Sequence, residues 1–135
     1  MIQNIISVDL EDHFCDLPFN TWENFESRVE NSTKILLELF EQSNTKATFF
    51  TVGYIAEKHP DLIKEIKNKG HEIASHSYSH LDLRKTTKQE FESDLIKSIE
   101  TLEKISGGKI LGFRAPWFSL TRENIKWVFE VLQKH

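Results

Sequence analysis

The sequence is poor in residues that cross-link, interrupt or span. Its single cysteine, Cys15, excludes a disulfide within the chain. Three prolines and five glycines among 135 residues form no linker or low-complexity tract, and no internal repeat is visible. No apolar run approaches the ~18 to 20 residues that a membrane span needs. The N-terminus has no charged segment followed by an apolar one, so no secretory signal is read; with the lone thiol this gives a cytoplasmic expectation. Positive charge is scarce too. Seventeen Lys and Arg against 21 Asp and Glu give a formal charge of -4 without a basic stripe, which argues against nucleic acid as a partner.

What is present suffices for a core. Hydrophobic residues make up 39% of the chain and aromatics 11%, with ten phenylalanines. The length fits one domain over residues 1–135. Residues 4–9 (NIISVD) read as a short buried strand. Residues 22–42 carry helical spacing in Trp22, Phe25, Val29, Ile35, Leu36, Leu39 and Phe40. Residues 47–52 (ATFFTV) form a second strand. A helical pattern over 54–68 restarts at Pro60 and closes at Gly70, and residues 71–75 give a third strand. Thr87 and Glu90 make a capping box that opens a helix to about Ile105, ended by Gly107 and Gly108. Residues 109–113 predict a fourth strand. A last helix starts at Thr121, with Ile125, Val128, Phe129 and Leu132 as its apolar face. This βαβαβαβα order predicts an α/β fold of parallel strands joined by right-handed crossovers. Four βα units amount to half a barrel or a small open sheet.

In such folds the chemistry gathers at the C-terminal ends of the strands. The polar residues that stand out fall there. Asp9, Glu11 and Asp12 end the first strand, His76 and His80 follow the third, and Arg114 ends the fourth. Two imidazoles four residues apart meet one metal ion if the backbone turns tightly between them. Zinc accepts such nitrogens readily, and a third ligand from the Ser7–Asp12 stretch would leave one position open for water. That is the arrangement of a catalytic rather than a structural site.

These residues resemble the motifs of the polysaccharide deacetylase family, the NodB-homology domains of carbohydrate esterase family 4. Residues 7–12 (SVDLED) resemble its first motif, His76–His80 (HSYSH) its second, and Phe113-Arg114-Ala115-Pro116 its third. The linking segments 47–53 (ATFFTVG), His59-Pro60-Asp61 and 70–75 (GHEIAS) are similar as well. The resemblance implies the N-terminal half of a distorted (β/α)7 barrel. It also implies a divalent metal, zinc by default with cobalt or nickel as alternatives, held by His76, His80 and an acid. The first motif departs from the common adjacent Asp pair. Strand parity favours Glu11 as the acid, with Asp12 the alternative if the chain turns there.

The implied activity is hydrolysis of N-acetyl groups on a sugar polymer or glycan precursor. Asp9 would be the general base, Arg114 would orient it, and Pro116 and Trp117 would line the sugar groove. A second departure lies downstream. The family's acidic-aromatic motif and the Leu-x-His segment carrying its general acid have no match after Arg114, and His135 is not assigned that role. The expectation is therefore a truncated domain with weak or no turnover alone, and a homo-oligomer that completes the half barrel through its open strand edges. The rival readings are a carbohydrate-binding fragment without turnover and an allantoinase-like amidohydrolase acting on a C–N bond. A zinc peptidase is disfavoured, because Ser77 stands where an HExxH motif has its Glu.

Overall fold

A computed structural model of the chain describes residues 5–135. Asn4, where the sequence starts the first strand, lies outside them. Three strands, β1 (Ser7–Leu10), β2 (Thr48–Thr51) and β3 (Glu72–Ser75), form a parallel sheet in the order β1-β2-β3. Helix α1 (Val29–Gln42) joins β1 to β2, and α2 (Gly53–Lys58) with α3 (Pro60–Asn68) joins β2 to β3. Helices α4 (Lys88–Ser106) and α5 (Ile125–Lys134) follow. This is the parallel α/β architecture that the alternating pattern predicts.

The pleat sorts the strand residues by face. Leu10, Phe49 and Ile73 enter the main core with Ile55, Ile63, Ile66 and Leu102 of the helices. Asp9, Phe50 and Ala74 are in register across the sheet and point the other way. A second apolar cluster joins Leu83, Phe91, Leu95, Val128 and Val131, which fastens α5 to α4.

Helix boundaries follow their caps. Thr87 and Glu90 form the capping box on α4, and Gly107 ends that helix in the left-handed conformation at φ 68°. Pro60 opens α3, and Gly70 follows it at φ 82°. The helix expected over 22–42 is instead interrupted. A 3-10 turn (Phe19–Asn24) and an extended residue, Phe25, precede α1. The Asp12 carboxylate caps α1 from outside, accepting from the backbone N–H of Arg28 (2.9 Å) and Val29 (3.2 Å). The buried stripe of α1 is Val29, Thr33 and Leu37, while Ile35 and Leu39 are exposed, contrary to the expected face.

The expected fourth strand reduces to one parallel bridge between Ser75 and Phe113. The Ser75 N–H donates to Gly112 O and the Arg114 N–H to Ser75 O. Upstream, the Ile110 N–H is taken by the Glu103 carboxylate and Leu111 is exposed, so the chain leans to the end of α4 instead of extending the ladder. Gly112 permits the approach, since a Cβ there would lie 3.0 Å from that of Ala74. Residues 121–124 form a turn, in which Asn124 Oδ1 accepts the Thr121 N–H, and α5 begins only at Ile125. Ile125 and Phe129 stay largely exposed. Among the described residues no helix is long and apolar enough to cross a membrane.

Candidate metal centre and active site

Strand β1 ends at Leu10, and the chain turns at once, with the Cys15 N–H donating to Asp12 O at 2.9 Å. The turn separates two neighbouring acids. Asp12 is buried, and its oxygens accept from the His13 N–H (2.9 Å), His13 Nδ1 (2.8 Å) and Ser27 Oγ (2.6 Å) besides the α1 cap. Burial alone would push its carboxyl up; the bonds from Ser27, His13 and Arg28 outweigh it and hold the carboxyl below its usual value. Asp12 is therefore occupied as a cap and is not part of the ligand cluster.

Glu11 turns toward the histidines. His76 follows β3 directly, its N–H donating to Thr51 O. The segment to His80 is a tight loop with Ser77 at φ 67° and His80 at φ 55°, left-handed values that bring two imidazoles four residues apart to one point. His76 Nδ1 lies 2.8 Å from Arg114 O and His80 Nδ1 lies 3.0 Å from Cys15 O. A carbonyl can only accept, so both Nδ1 atoms carry a proton, and Nε2 is the atom of each ring that turns to Glu11 and offers a lone pair to a metal when the imidazole is neutral. Glu11 Oε2 sits 2.8 Å from His80 Nε2 and 3.6 Å from His76 Nε2. It is buried and has no aligned hydrogen-bond donor. The three donor atoms lie within 4.8 Å of one another, and Glu11, His76 and His80 form a group that could hold a metal ion.

The electrostatics suit a cation. Burial pushes His76 below its usual value and keeps it neutral, as a ligand must be. At His80 burial also acts downward, but the Glu11 carboxylate overrides it and raises the pKa. At Glu11 burial acts upward, and the two imidazoles lower the carboxyl in spite of it. A buried carboxylate oxygen facing the Nε2 atoms of two imidazoles fits a divalent ion. Two nitrogens and one oxygen are a donor set for zinc, cobalt or nickel, with room for a further ligand.

Beside this cluster lies an ion pair. Arg114 Nη1 donates to Asp9 Oδ1 at 2.5 Å and Nη2 to Ser7 Oγ at 2.8 Å, while the guanidinium stacks 3.9 Å from the centre of the Phe50 ring. Arg114 thus holds Asp9 with its side chain and His76 with its carbonyl. A cleft of about 360 Å³ contains Asp9, Glu11, His76, His80 and Arg114, with Trp117 and Phe118 on its wall. The Trp117 indole N–H donates to His80 O at 3.2 Å, which fixes that ring. Pro116, expected at the substrate, is buried under the wall and accepts from Ser119, so it does not line the cleft. Phe118 takes that place. It is fully exposed, whereas its residue type alone points to core or packing.

A parallel sheet with two imidazoles, a carboxylate and an Asp–Arg pair at its C-terminal end has the composition of a metallohydrolase site. The polysaccharide deacetylase family profile matches residues 19–131, and the chain belongs to that family. Its parallel βα units are part of the (β/α)7 barrel that the family shares. Among curated relatives, a peptidoglycan-N-acetylglucosamine deacetylase of Bacillus cereus is 38% identical over 98 residues, covering 73% of this chain and 36% of the relative. The solved Bc1960 peptidoglycan N-acetylglucosamine deacetylase, in complex with 4-naphthalen-1-yl-N-oxidanyl-benzamide, superposes with a TM-score of 0.72 at 32% identity over 93% of this chain and 51% of that one. A mutant of BA3943, a CE4 family pseudoenzyme with restored enzymatic activity, matches at a TM-score of 0.70 and 25% identity over 76% of this chain and 38% of that one. The chain therefore spans little more than a third of the curated relative it matches.

Proposed function

We propose that the chain carries the metal-binding and base-bearing part of an N-acetyl-glycan deacetylase site, hydrolysing the amide C–N bond and releasing acetate. The observation that carries this reading is the buried Glu11 Oε2 facing Nε2 of both His76 and His80 beside the Asp9–Arg114 pair. Glu11, His76 and His80 would hold a divalent ion, zinc by default. When bound, such an ion supplies Lewis acidity to an amide carbonyl and makes water more acidic. Asp9 is the group placed to take a proton from water at Oδ2, because Arg114 occupies Oδ1 and fixes the carboxylate plane. Trp117 and Phe118 give aromatic faces against which the apolar face of a sugar ring packs. The names of the similar deacetylases favour a glycan containing N-acetylglucosamine.

The cleft holds no imidazole besides the two inward-facing ones among the described residues, so protonation of the leaving amine is its weak step. We therefore expect slow acetate release by residues 1–135 from a chitooligosaccharide with zinc supplied, lost in Asp9→Asn and in His80→Ala. Activity that both variants retain rejects the assignment. Glycan binding without acetate release selects the binding-module reading. We also infer that the sheet is completed by a second copy of the chain, supported by the unpaired outer edge of β1 and an apolar groove beside α5.

A further inference from the structure

The loop that aims the two imidazoles has left-handed backbone at two non-glycine residues, which an isolated loop does not favour. Something must hold it. Its carbonyls are met by the start of α2, where the Gly53 N–H donates to Ser77 O (2.9 Å) and the Tyr54 N–H to Tyr78 O (3.0 Å). The Ser77 N–H donates to Ser75 Oγ, and four other donors of the loop converge on one residue of a different helix, Asp94 in α4. Asp94 Oδ1 accepts from Ser77 Oγ (2.6 Å) and the Tyr78 N–H (2.7 Å). Asp94 Oδ2 accepts from the Ser79 N–H (3.0 Å) and Ser79 Oγ (2.6 Å). Ser77 Oγ in turn accepts the Leu81 N–H, which ties the far side of His80 into the same network. One carboxylate thus receives four donors from the three residues between the histidines. Hydrogen bonds to an ionised acceptor are the strong kind.

We propose that Asp94 is a positioning residue for the metal centre: it clamps Ser77–Ser79 in the conformation that sets His76 Nε2 and His80 Nε2 on Glu11 Oε2. The inference rests on the reading that Glu11, His76 and His80 hold a divalent ion. Asp94 is not part of the cleft lining and touches neither imidazole in any hydrogen bond described above. Its action runs through the loop alone. The charge state and the shape of the side chain are both required. Asparagine has the same size, but its amide nitrogen sets a donor against the Tyr78 or the Ser79 donors and breaks one side of the clamp. Nothing in the sequence pattern marks Asp94 except an acidic, poor helix former in mid-helix.

The test is zinc affinity by competition with a chromophoric chelator, together with the visible spectrum of the cobalt-loaded protein, for wild type, Asp94→Asn and Ser79→Ala. Outer partners of metal ligands typically change affinity by ~10- to 100-fold, which is the loss expected for Asp94→Asn. Ser79→Ala, which leaves the Oδ1 side intact, should lose less. Saturating cobalt should give altered d–d bands in Asp94→Asn, a readout that mere loss of fold stability does not move. Wild-type affinity and spectrum in Asp94→Asn overturn the proposal. If Asp94→Asn does not fold, an unchanged cobalt spectrum and affinity in Ser79→Ala overturn it instead. Wild-type protein that takes up no zinc overturns the metal reading itself, and the positioning role with it.

Discussion

At the scale of single residues, two adjacent acids have opposite tasks, and substitution separates them. Glu11 is the acid with an orphaned oxygen; Asp12 is the acid with every oxygen engaged. Glu11→Gln should abolish tight zinc binding while leaving the fold, because the neighbours of its buried oxygen are the two imidazoles and no helix cap or strand bond ends on it. Asp12→Asn should keep zinc binding and lower stability by about 1–2 kcal/mol, the usual cost of a lost helix cap and its hydrogen bonds. Zinc titration and urea unfolding on the same two variants check both. The reverse pattern would make Asp12 the ligand. The sequence left this choice open between the two, with strand parity pointing to Glu11. It could not show that Ser27, fifteen residues away, would occupy Asp12, because that contact exists only once α1 folds back on the turn.

At the scale of elements, β3 begins next to a histidine that ties two strands. Buried His71 accepts the Ala47 N–H through Nδ1 at 3.1 Å, just before β2, and stacks edge-on against Phe49. Burial, then the charges of Lys46 and Lys69, lower its pKa from 6.5. The sign follows directly. Above about pH 6.5 both folded and unfolded states hold a neutral imidazole and nothing is lost. As pH falls below 6.5 the unfolded chain takes up a proton that the folded one refuses, so stability declines until the folded value is reached. Urea midpoints of wild type should therefore fall between pH 7.5 and 5.5 more steeply than those of His71→Gln; equal slopes would refute the role. The strands and helices themselves were largely legible, since period-2 and period-3.6 patterns and the Thr87–Glu90 and Gly107 caps are local. The failures were non-local. The run over 109–113 has strand composition, yet Glu103 captures its backbone and only Phe113 reaches the sheet. In α1, Ile35 and Leu39 share the helix with the true core stripe but have no neighbour among the described residues to bury them.

At the scale of the whole molecule, part of the exposed apolar surface gathers at one groove. Leu111, Leu120 and Phe129 border one groove of about 430 Å³ shared with Leu95, Val128 and Leu132, while exposed Ile5 and Ile6 lead into β1, the edge strand on the other side of the sheet. A parallel sheet with an open edge and an uncovered apolar flank invites association. On the Asp9, Phe50 and Ala74 face, Gly112 lies against Ala74 and Arg114 against Phe50, and the rest of a second layer, in a barrel the far side of the same sheet, is absent among the described residues. Two copies joined edge to flank would provide it and would put two clefts on one rim. Sedimentation velocity at micromolar concentration should show a dimer, and Leu111→Lys or Phe129→Lys should return it to monomer without loss of helical signal, because both side chains are already in solvent in the single chain. The cleft depends on this outcome in one respect only. Glu11, His76, His80 and the Asp9–Arg114 pair are assembled within one copy, so monomeric variants should keep zinc affinity. Acetate release, for which the described cleft offers no third imidazole to protonate the leaving amine, is the property expected to change with assembly. A dimer-dependent rate at constant zinc affinity would place the missing proton donor on the partner copy; a strictly monomeric wild type would remove that route.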